Sequence, residues 1–351
     1  MNRCFLKRLL ETASPSGYER NAALLWKEEA KGFADLVYGD IHGNSIARKS
    51  AKCYFSTRIM LAGHIDEIGF IVSAIDENGF VYFEPIGGFD PQIFPGQRVR
   101  VYSRVFPSNF IKGCIGRPPV HLLSNEEKKQ VVKIENLWID VGEKENAKKI
   151  SLGDYGVIDY SPESWGDILV ARGLDDRIGA FTVLESLKAI KKEKLENAVA
   201  IYAVATVQEE IGLRGAITSA YNINPKIGIA VDVTFASDYP GAKKHGAGIK
   251  MGGGPVIVIG PNITPAIHDA LVETAKENNI PYQIEAISRG TGTDANVIQL
   301  SRAGAATGLI SIPNRYMHSP CEMVDMRDVQ HTIALLAHFC GKNIGEILKS
   351  Y

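Results

Sequence analysis

The stretch AVAIYAVATVQEEIGLRGA, residues 198–216, carries ten mostly apolar residues into Gln208 and the adjacent carboxylates Glu209 and Glu210. A continuous apolar run is typical of a strand that is buried on both faces of a sheet. Two neighbouring carboxylates repel each other, and each disfavours the ionisation of the other. The presence of two adjacent acids at the end of such a strand therefore needs a chemical explanation.

Helical patterns alternate with apolar runs along most of the chain. The predicted strands lie at 43–49, 58–63, 198–207, 227–233, 255–260 and 306–313. The predicted helices lie at 19–34, 177–195, 265–279 and 293–304. This alternation predicts an α/β fold in which helices sandwich a mostly parallel sheet.

Residues 70–162 interrupt this pattern. The segment FIVSAIDENGFVYFEPI, residues 70–86, predicts a hairpin that turns at ENG, and Gly- and Pro-rich turns with short strands follow it. We therefore predict that residues 70–162 form a small inserted all-β domain, barrel-like in form. The α/β domain then consists of residues 1–69 together with 163–351.

The composition excludes several classes of partner. The 351 residues include 39 basic and 40 acidic side chains, a formal net charge of −1 that gives no electrostatic footprint for nucleic acid. No stretch approaches the ~20 apolar residues that span a bilayer. The five cysteines are scattered and never spaced as CxxC, so neither a disulfide framework nor a thiolate zinc site is expected. We expect a cytoplasmic protein without nucleic-acid or membrane partners.

Carboxylates and histidines gather where the predicted strands end. Five clusters share this position: His64 with Asp66, Asp175 with Asp176, Glu209 with Glu210, Asp232, and His318. Taken singly, each has an ordinary explanation, such as a helix N-cap, a solvated loop or a structural histidine. Ligands bind beyond the carboxyl ends of the strands in an open α/β sheet, so the clusters are expected to converge. Together they are the ligand types that divalent metals prefer.

Converging carboxylates need cations to offset their charge. Two divalent ions would supply that charge, and one carboxylate between them could bridge ions ~3.5–4 Å apart. One member of the pair Glu209–Glu210 can then ligate a metal, while the other stays unligated as the general base for the attacking water. The two acids at the strand end would therefore have different roles.

The motifs GHIDEIG, LDDRIG, VQEEIGLRGA, DVT and YMHS, with SPSGYE and GTGTDA, jointly resemble one family. It is the family of TET-type di-metal aminopeptidases, which includes glutamyl aminopeptidases, deblocking aminopeptidases and proteins labelled endoglucanase M. The resemblance covers essentially the whole chain. It implies an α/β metallopeptidase domain with a β-domain inserted at the position predicted above, and two ions of zinc or cobalt per subunit.

The resemblance also implies a role for each residue of the clusters. The implied ligands are His64, a bridging aspartate, Glu210, Asp232 and His318, with Glu209 as the base and Asp66 orienting His64. The pattern D-x-[RK]-x-G favours Asp175 as the bridge, with Gly179 four residues on, and Asp176 is the second choice.

Two other functions compete with this interpretation. The loop GTGTDA, residues 290–295, also matches a dinucleotide-binding fingerprint, but no acidic residue lies between Asp294 and Glu322 to bind the ribose of an oxidoreductase cofactor. A glycoside hydrolase would need only two opposed carboxylates, which leaves His64 and His318 without a role. The chain has neither HExxH nor GxSxG.

The sequence therefore predicts a metal-dependent aminopeptidase that acts on short peptides. Its side-chain pocket is expected to use residues near TFASDYPG and in GTGTDA, namely Thr291, Gly292, Thr293 and Asp294. The preferred N-terminal residue and the choice between zinc and cobalt stay open.

The resemblance further implies dimers held partly by the insert, and their assembly into a closed particle, a tetrahedral dodecamer. A small β-domain has edges and apolar faces that partners commonly cover. Phe89, Ile93 and Phe94 in the Gly/Pro-rich loop are the predicted contacts, although they could equally pack inside their own domain.

Overall fold

The computed structural model describes residues 1–50, 57–106, 108–190, 199–242 and 248–349. The helices in these ranges are α1 (Arg3–Glu11), α2 (Arg20–Ala30), α3 (Lys144–Ala147), α4 (Leu174–Ala189), α5 (Arg214–Ile223), α6 (Pro265–Glu277), α7 (Ala295–Ile298), α8 (Met326–Phe339) and α9 (Ile344–Lys349). The first nine strands are β1 (Leu36–Gly39), β2 (Ser45–Ser50), β3 (Thr57–His64), β4 (Gly69–Ile75), β5 (Val81–Ile86), β6 (Arg98–Tyr102), β7 (Phe110–Gly116), β8 (Trp138–Asp140) and β9 (Tyr155–Ile158). The later strands are β10 (Glu163–Trp165), β11 (Ile168–Ala171), β12 (Val199–Thr206), β13 (Ile227–Phe235), β14 (Val256–Ile259), β15 (Gln283–Ala286), β16 (Ala306–Arg315) and β17 (Glu322–Asp325).

Eleven of the described strands form one mixed sheet. Its order is β1-β2-β12-β3-β13-β16-β17-β11-β10, and β14, with β15 beside it, also pairs with β16. Parallel pairing joins β12, β3, β13 and β16 at the centre, and also β14 with β15. The pairs at both ends of the order are antiparallel. Short connections such as the one from β10 to β11 join antiparallel neighbours, whereas a parallel pair needs a crossover. Parallel pairing is therefore confined to fewer positions than the sequence predicted.

Both faces of the central strand β12 are covered. All eight of its residues are buried. Ile201 and Ala203 pack in the core that α1, α2, α4, α6 and α8 form with the sheet, while Tyr202 and Val204 pack in the core that includes α5 and α7. Successive side chains of a strand point to opposite faces, so an unbroken apolar run serves two helical layers. The predicted α/β sandwich is confirmed.

Helix α4 lies in direct contact with β3. A Cβ atom on Gly63 would lie 2.4 Å from the carbonyl carbon of Gly179, so glycine at position 63 permits the close approach. The helix is buried on nearly all sides, as expected for an element in the core of a large domain. Its first turn is irregular, because Asp175 and Asp176 have non-helical backbone angles. These two acids therefore leave the helical path beside the end of β3.

The second unit is a closed barrel of six antiparallel strands in the order β4-β5-β8-β7-β6-β9. All six strands lie between Gly69 and Ile158, so the first of them begins one residue before the predicted insert of residues 70–162. The hairpin predicted at residues 70–86 is confirmed as β4 paired with β5. The predicted role of this unit in dimerisation stays a prediction.

Phe94 is not a surface contact, and this expectation was wrong. The side chain is fully buried in the barrel core, where its ring lies 5.5 Å from that of Phe83 and 4.6 Å from that of Phe89. Phe89 packs against the same core, and Ile93 is half-buried. The closed barrel has an apolar interior of its own, to which Phe94 and Phe89 contribute.

The predicted helices end earlier in the structure. The helix predicted at 19–34 ends at Ala30, the one at 265–279 ends at Glu277, and the one at 177–195 ends at Ala189. The helix predicted at 293–304 is reduced to the four residues of α7. The last part of the prediction at 177–195, residues 191–195, lies outside the described residues. Within the described ranges, no helix has both the length and the apolar character to cross a lipid bilayer.

Candidate metal centre

The parallel strands at the centre of the sheet end at the same edge. His64, the last residue of β3, lies opposite Thr206, the last residue of β12, and β13 runs parallel to β3. Glu209 and Glu210 lie three and four residues after the end of β12, and Asp232 lies near the end of β13. The carboxyl ends of parallel strands form the usual ligand-binding edge of an α/β sheet.

Asp175 lies between two histidines. Its Oδ1 is 3.1 Å from Nε2 of His64, and its Oδ2 is 3.2 Å from Nε2 of His318. Each oxygen of the carboxylate therefore faces a different imidazole. His318 comes from the loop after β16, in a backbone conformation with φ of 60°, and its ring faces the cluster from the far side of Asp175.

The two glutamates take different positions in this cluster. Glu210 Oε1 lies 3.3 Å from His318 Nε2, without hydrogen-bond geometry, and accepts no hydrogen bond within the described residues. Glu209 Oε2 lies 3.8 Å from His64 Nε2. The adjacent acids of the opening stretch thus reach opposite ends of the Asp175 carboxylate.

Asp66 holds the strand end that carries both glutamates. Its carboxylate accepts hydrogen bonds from the backbone amides of Glu209 and Glu210, each at 3.1 Å, and from the hydroxyl of Ser16 at 2.7 Å. His64 Nδ1 lies 3.1 Å from the backbone oxygen of Asp66 and 3.5 Å from its Oδ1. This buried acid therefore contacts four neighbours at once.

Asp176 is bound to the backbone. Its carboxylate accepts hydrogen bonds from the amide of His64 at 3.1 Å and from the amide of Gly179 at 3.0 Å. Asp232 lies close to it, and burial together with the neighbouring Asp232 holds the pKa of Asp176 well above its usual range. Burial likewise raises the pKa of Asp232.

Charge in this cluster is concentrated and buried. Burial, reinforced by nearby acids, raises the pKa of Glu209 to about 10, and burial raises that of Glu210. Although burial opposes its charge, contacts with Asp175 and Glu210 raise the pKa of His318 to about 11. Burial also opposes the charge of His64, but Glu209 and Asp175 raise its pKa well above the usual value. Within the described residues, these two imidazoles are the ion-pair partners of Asp175, Glu209 and Glu210.

The donor set fits a divalent metal. Two groups each have one ligand atom per residue within 4.8 Å of the others: His64, Asp175 and Glu210, and His64, Asp176 and Asp232. Imidazole nitrogen and carboxylate oxygen are ligands that zinc and related ions accept. The unpaired Glu210 Oε1 is a buried oxygen available for such an ion.

Glu322 supports the cluster, and sequence reasoning missed it. This fully buried carboxylate accepts hydrogen bonds from the backbone amides of Asp175 at 2.8 Å and His318 at 3.1 Å. Burial and the nearby Asp175 raise the pKa of Glu322 to about 8. Its only signal in the sequence is an acid four residues after His318, which is not enough to assign it.

A second buried acid, Glu67, was also missed. It forms ion pairs with Arg172 and with Arg177, the latter at 3.1 Å. It also accepts a hydrogen bond from the backbone amide of Ser14. Although burial opposes its charge, the two guanidinium groups hold the pKa of Glu67 below its usual value. The motif GHIDEIG contains this residue, but the sequence does not reveal the arginines that face it.

A cavity of about 470 Å³ opens beside the cluster and is lined by His64, Asp175, Glu209, Glu210, Asp232 and His318. Thr291, Gly292 and Thr293 line it, and so do Thr234 and Phe235, while the predicted role of the loop in substrate binding stays a prediction. Asp294 is buried instead, with its Oδ2 accepting a hydrogen bond from Thr206 Oγ1 at 2.5 Å.

The barrel also approaches the cluster. A Cβ atom on Gly88 would lie 3.5 Å from Nδ1 of His318, and one on Gly87 would lie 3.4 Å from the side chain of Glu210. Gly87 has φ of 79°, and its Cβ would also lie 2.7 Å from Ile68. The loop after β5 therefore lies against the cluster itself.

A family model of M42 glutamyl aminopeptidases matches residues 43–335. The chain belongs to this family. A lysyl aminopeptidase from Pyrococcus furiosus is 37% identical over 338 residues, which cover 94% of each chain. The protein is accordingly an aminopeptidase, a hydrolase of the exopeptidase class.

Solved structures show the same fold. A TET aminopeptidase from a marine sediment archaeon of the Thaumarchaeota is 34% identical, superposes with a TM-score of 0.92, and covers 99% of this chain and 98% of its own. The TET1 peptidase of Pyrococcus horikoshii, 30% identical with a TM-score of 0.82, covers 96% of this chain and 98% of its own. That peptidase is described as assembling into a tetrahedron or a large octahedral shell.

Proposed function

We propose that this chain is a metal-dependent aminopeptidase that removes N-terminal residues from short peptides with two divalent ions, zinc or cobalt, in each subunit. The single observation that carries the proposal is the position of Asp175. Its two carboxylate oxygens face His64 and His318 at 3.1 and 3.2 Å. A carboxylate between two separate nitrogen donors is the arrangement of a bridging ligand.

The surrounding residues divide into two ligand sets. His64 with Asp232 would hold one ion, and Glu210 with His318 would hold the other, with Asp175 shared between them. Asp176 belongs to a compact group with His64 and Asp232, but its oxygens already accept two backbone amides. We therefore assign the bridge to Asp175 rather than Asp176.

Glu209 is proposed as the general base. When bound, the ions would polarise the scissile carbonyl and make the attacking water more acidic. Glu209 would take a proton from that water and later give it to the leaving amine. Asp66 contributes by fixing the backbone of Glu209.

Neither competing function gives the histidines a role. A glycoside hydrolase needs two carboxylates and no imidazole, although His64 and His318 both face Asp175. The loop GTGTDA leads into the four residues of α7 rather than into a long helix after a strand. The peptidase proposal uses both histidines and the acids around them.

The test removes the ions and restores them one at a time. Protein treated with a chelator and dialysed is expected to lose hydrolysis of leucine 4-nitroanilide and to regain it with zinc or cobalt. Elemental analysis should find two ions per chain in the restored protein. Full activity of a chelated sample that contains no metal would overturn the proposal, as would saturation at one ion.

We also propose that the chain assembles through the barrel into a closed particle, a tetrahedral dodecamer built from dimers. Two features support this proposal. Large apolar side chains of the barrel are exposed, among them Phe106, Val120, Leu122 and Val131. Exposed apolar side chains can form part of an association surface. The Pyrococcus horikoshii relative is described as forming a tetrahedron or a larger shell.

A further inference from the structure

The cavity carries charged side chains that the proposed metal centre does not use. Within the described residues these are Glu285, on strand β15, and Arg289, four residues later. Glu285 is half-buried in the cavity wall, whereas Arg289 is exposed. Water screens the charge of the exposed Arg289 more than that of the half-buried Glu285. Glu285 is therefore the better candidate to bind a charged substrate side chain.

Glu285 is held in place by the strand that carries a proposed metal ligand. Its Oε2 accepts a hydrogen bond from Thr234 Oγ1 at 2.9 Å. Thr234 lies two residues beyond Asp232 on β13, so both side chains point to the same face, with their Cα atoms about 7 Å apart. The carboxylate of Glu285 is therefore fixed roughly one long side chain away from the proposed metal centre.

The carboxylate also lacks a counter-ion. In the part of the chain that the structure describes, its hydrogen bond comes from the neutral hydroxyl of Thr234, and no basic side chain forms an ion pair with it. The walls beside it include the apolar side chains of Phe235, Ile287 and Leu309. A carboxylate without a counter-ion and with apolar side chains beside it suits a side chain with an aliphatic stem and a cationic end.

We infer, on the basis of the proposed function, that Glu285 is a specificity-determining residue that selects peptides with lysine or arginine at the N-terminus. The α-amino group and the scissile bond would lie at the metal centre. The cationic end of the first side chain would bind the carboxylate of Glu285. The inference deepens the proposed function, since it names the substrate class at the same site.

The test compares four aminoacyl-4-nitroanilides, those of lysine, arginine, leucine and glutamate, with metal-loaded protein. The wild-type protein is expected to have its highest kcat/KM with lysine or arginine. Glu285→Gln is expected to lower the ratio of lysine to leucine by about 10- to 100-fold, the value of one charge-assisted hydrogen bond. Glu285→Lys should invert the preference and favour the glutamate derivative over lysine.

Arg289→Gln is the matched control, because it removes a charge from the same cavity. Its ratio of lysine to leucine is expected to stay within about threefold of the wild-type ratio, the range of an exposed charge pair. An unchanged ratio in Glu285→Gln, or a wild-type preference for glutamate, overturns the inference and leaves the proposed function standing. Wild-type protein that hydrolyses none of the four derivatives overturns the proposed function, and the inference with it.

Discussion

Glu209 and Glu210 are neighbours in sequence, yet their carboxylates face different histidines. Glu209 lies 3.8 Å from His64, and Glu210 lies 3.3 Å from His318. The carboxylate of Asp66 accepts hydrogen bonds from the backbone amides of both glutamates and so holds their backbone in place. The separation allows one acid to bind a metal while the other stays available for a proton.

Glu209→Gln is expected to retain metal and fold but to lose about 10²–10⁴-fold in kcat, because an amide cannot accept the proton. Glu210→Gln is the matched variant and should instead lose metal, because a neutral amide replaces the carboxylate that is proposed to bind the ion. Elemental analysis and kinetics with one 4-nitroanilide distinguish the two. A Glu209→Gln protein with normal metal content and less than a tenfold loss of rate would show that another group is the base.

Asp175→Asn and Asp176→Asn separate the bridge from its neighbour. The first is expected to abolish binding of both ions, while His64→Ala and His318→Ala each weaken one. Asp176→Asn should mainly lower the melting temperature, because its carboxylate accepts the amides of His64 and Gly179. Anomalous scattering at the metal edge counts the ions. A single peak bound by residues of both sets would rule out the two-metal arrangement.

Most residues of the proposed metal centre could be named from the sequence because they lie at or near the ends of apolar strands. His64 is the last residue of β3, Glu210 lies four residues after β12, and Asp232 lies three residues before the end of β13. The sequence shows these places as a change from apolar to polar. Glu322 and Glu285 could not be found this way. Each acts through a partner distant in sequence, Asp175 or Thr234, and only the folded chain brings them together.

At the scale of the elements, the strands followed from the sequence better than the helices did. Continuous apolar runs such as β12 must be buried on both faces, which fixes their identity. The predicted length of α7 was too great. Apolar residues keep helical spacing through residues 299–304, although the helix has already ended at Ile298. The outer pairs β1–β2 and β10–β11 are antiparallel because short connections join their strands. A pattern of apolar residues does not indicate the direction in which strands pair.

The connection between β3 and α4 depends on a buried ion cluster. Glu67, just after β3, pairs with Arg172 and Arg177 at the start of α4. Glu67→Gln is expected to lower the free energy of unfolding by about 3–5 kcal/mol, because two buried guanidinium groups lose their counter-charge. Urea denaturation measures the change. Glu84→Gln, an exposed residue of β5, is the control and should stay within about 0.5 kcal/mol of wild type.

At the scale of the whole molecule, the barrel is the part that should control assembly. Light scattering at micromolar concentration is expected to give about twelve times the monomer mass for a tetrahedral particle. Leu122→Ser, in the barrel, should lower that mass, because it replaces a side chain that is 78% exposed in one chain and apolar. Leu300→Ser changes a leucine that is 74% exposed on the α/β domain and should leave the mass unchanged. Fully active wild-type monomers would show that enclosure is unnecessary.

The barrel also divides the cluster along the chain. His64 and Asp175, whose side chains lie 3.1 Å apart, are separated by 111 residues, most of which form the barrel. A ribosome that adds about 5–20 residues per second needs roughly 6–20 s to pass from the first to the second. During that interval the nascent chain carries only the first part of the cluster. The complete cluster can therefore form only after the barrel, whose Gly87 and Gly88 lie against it, has been made.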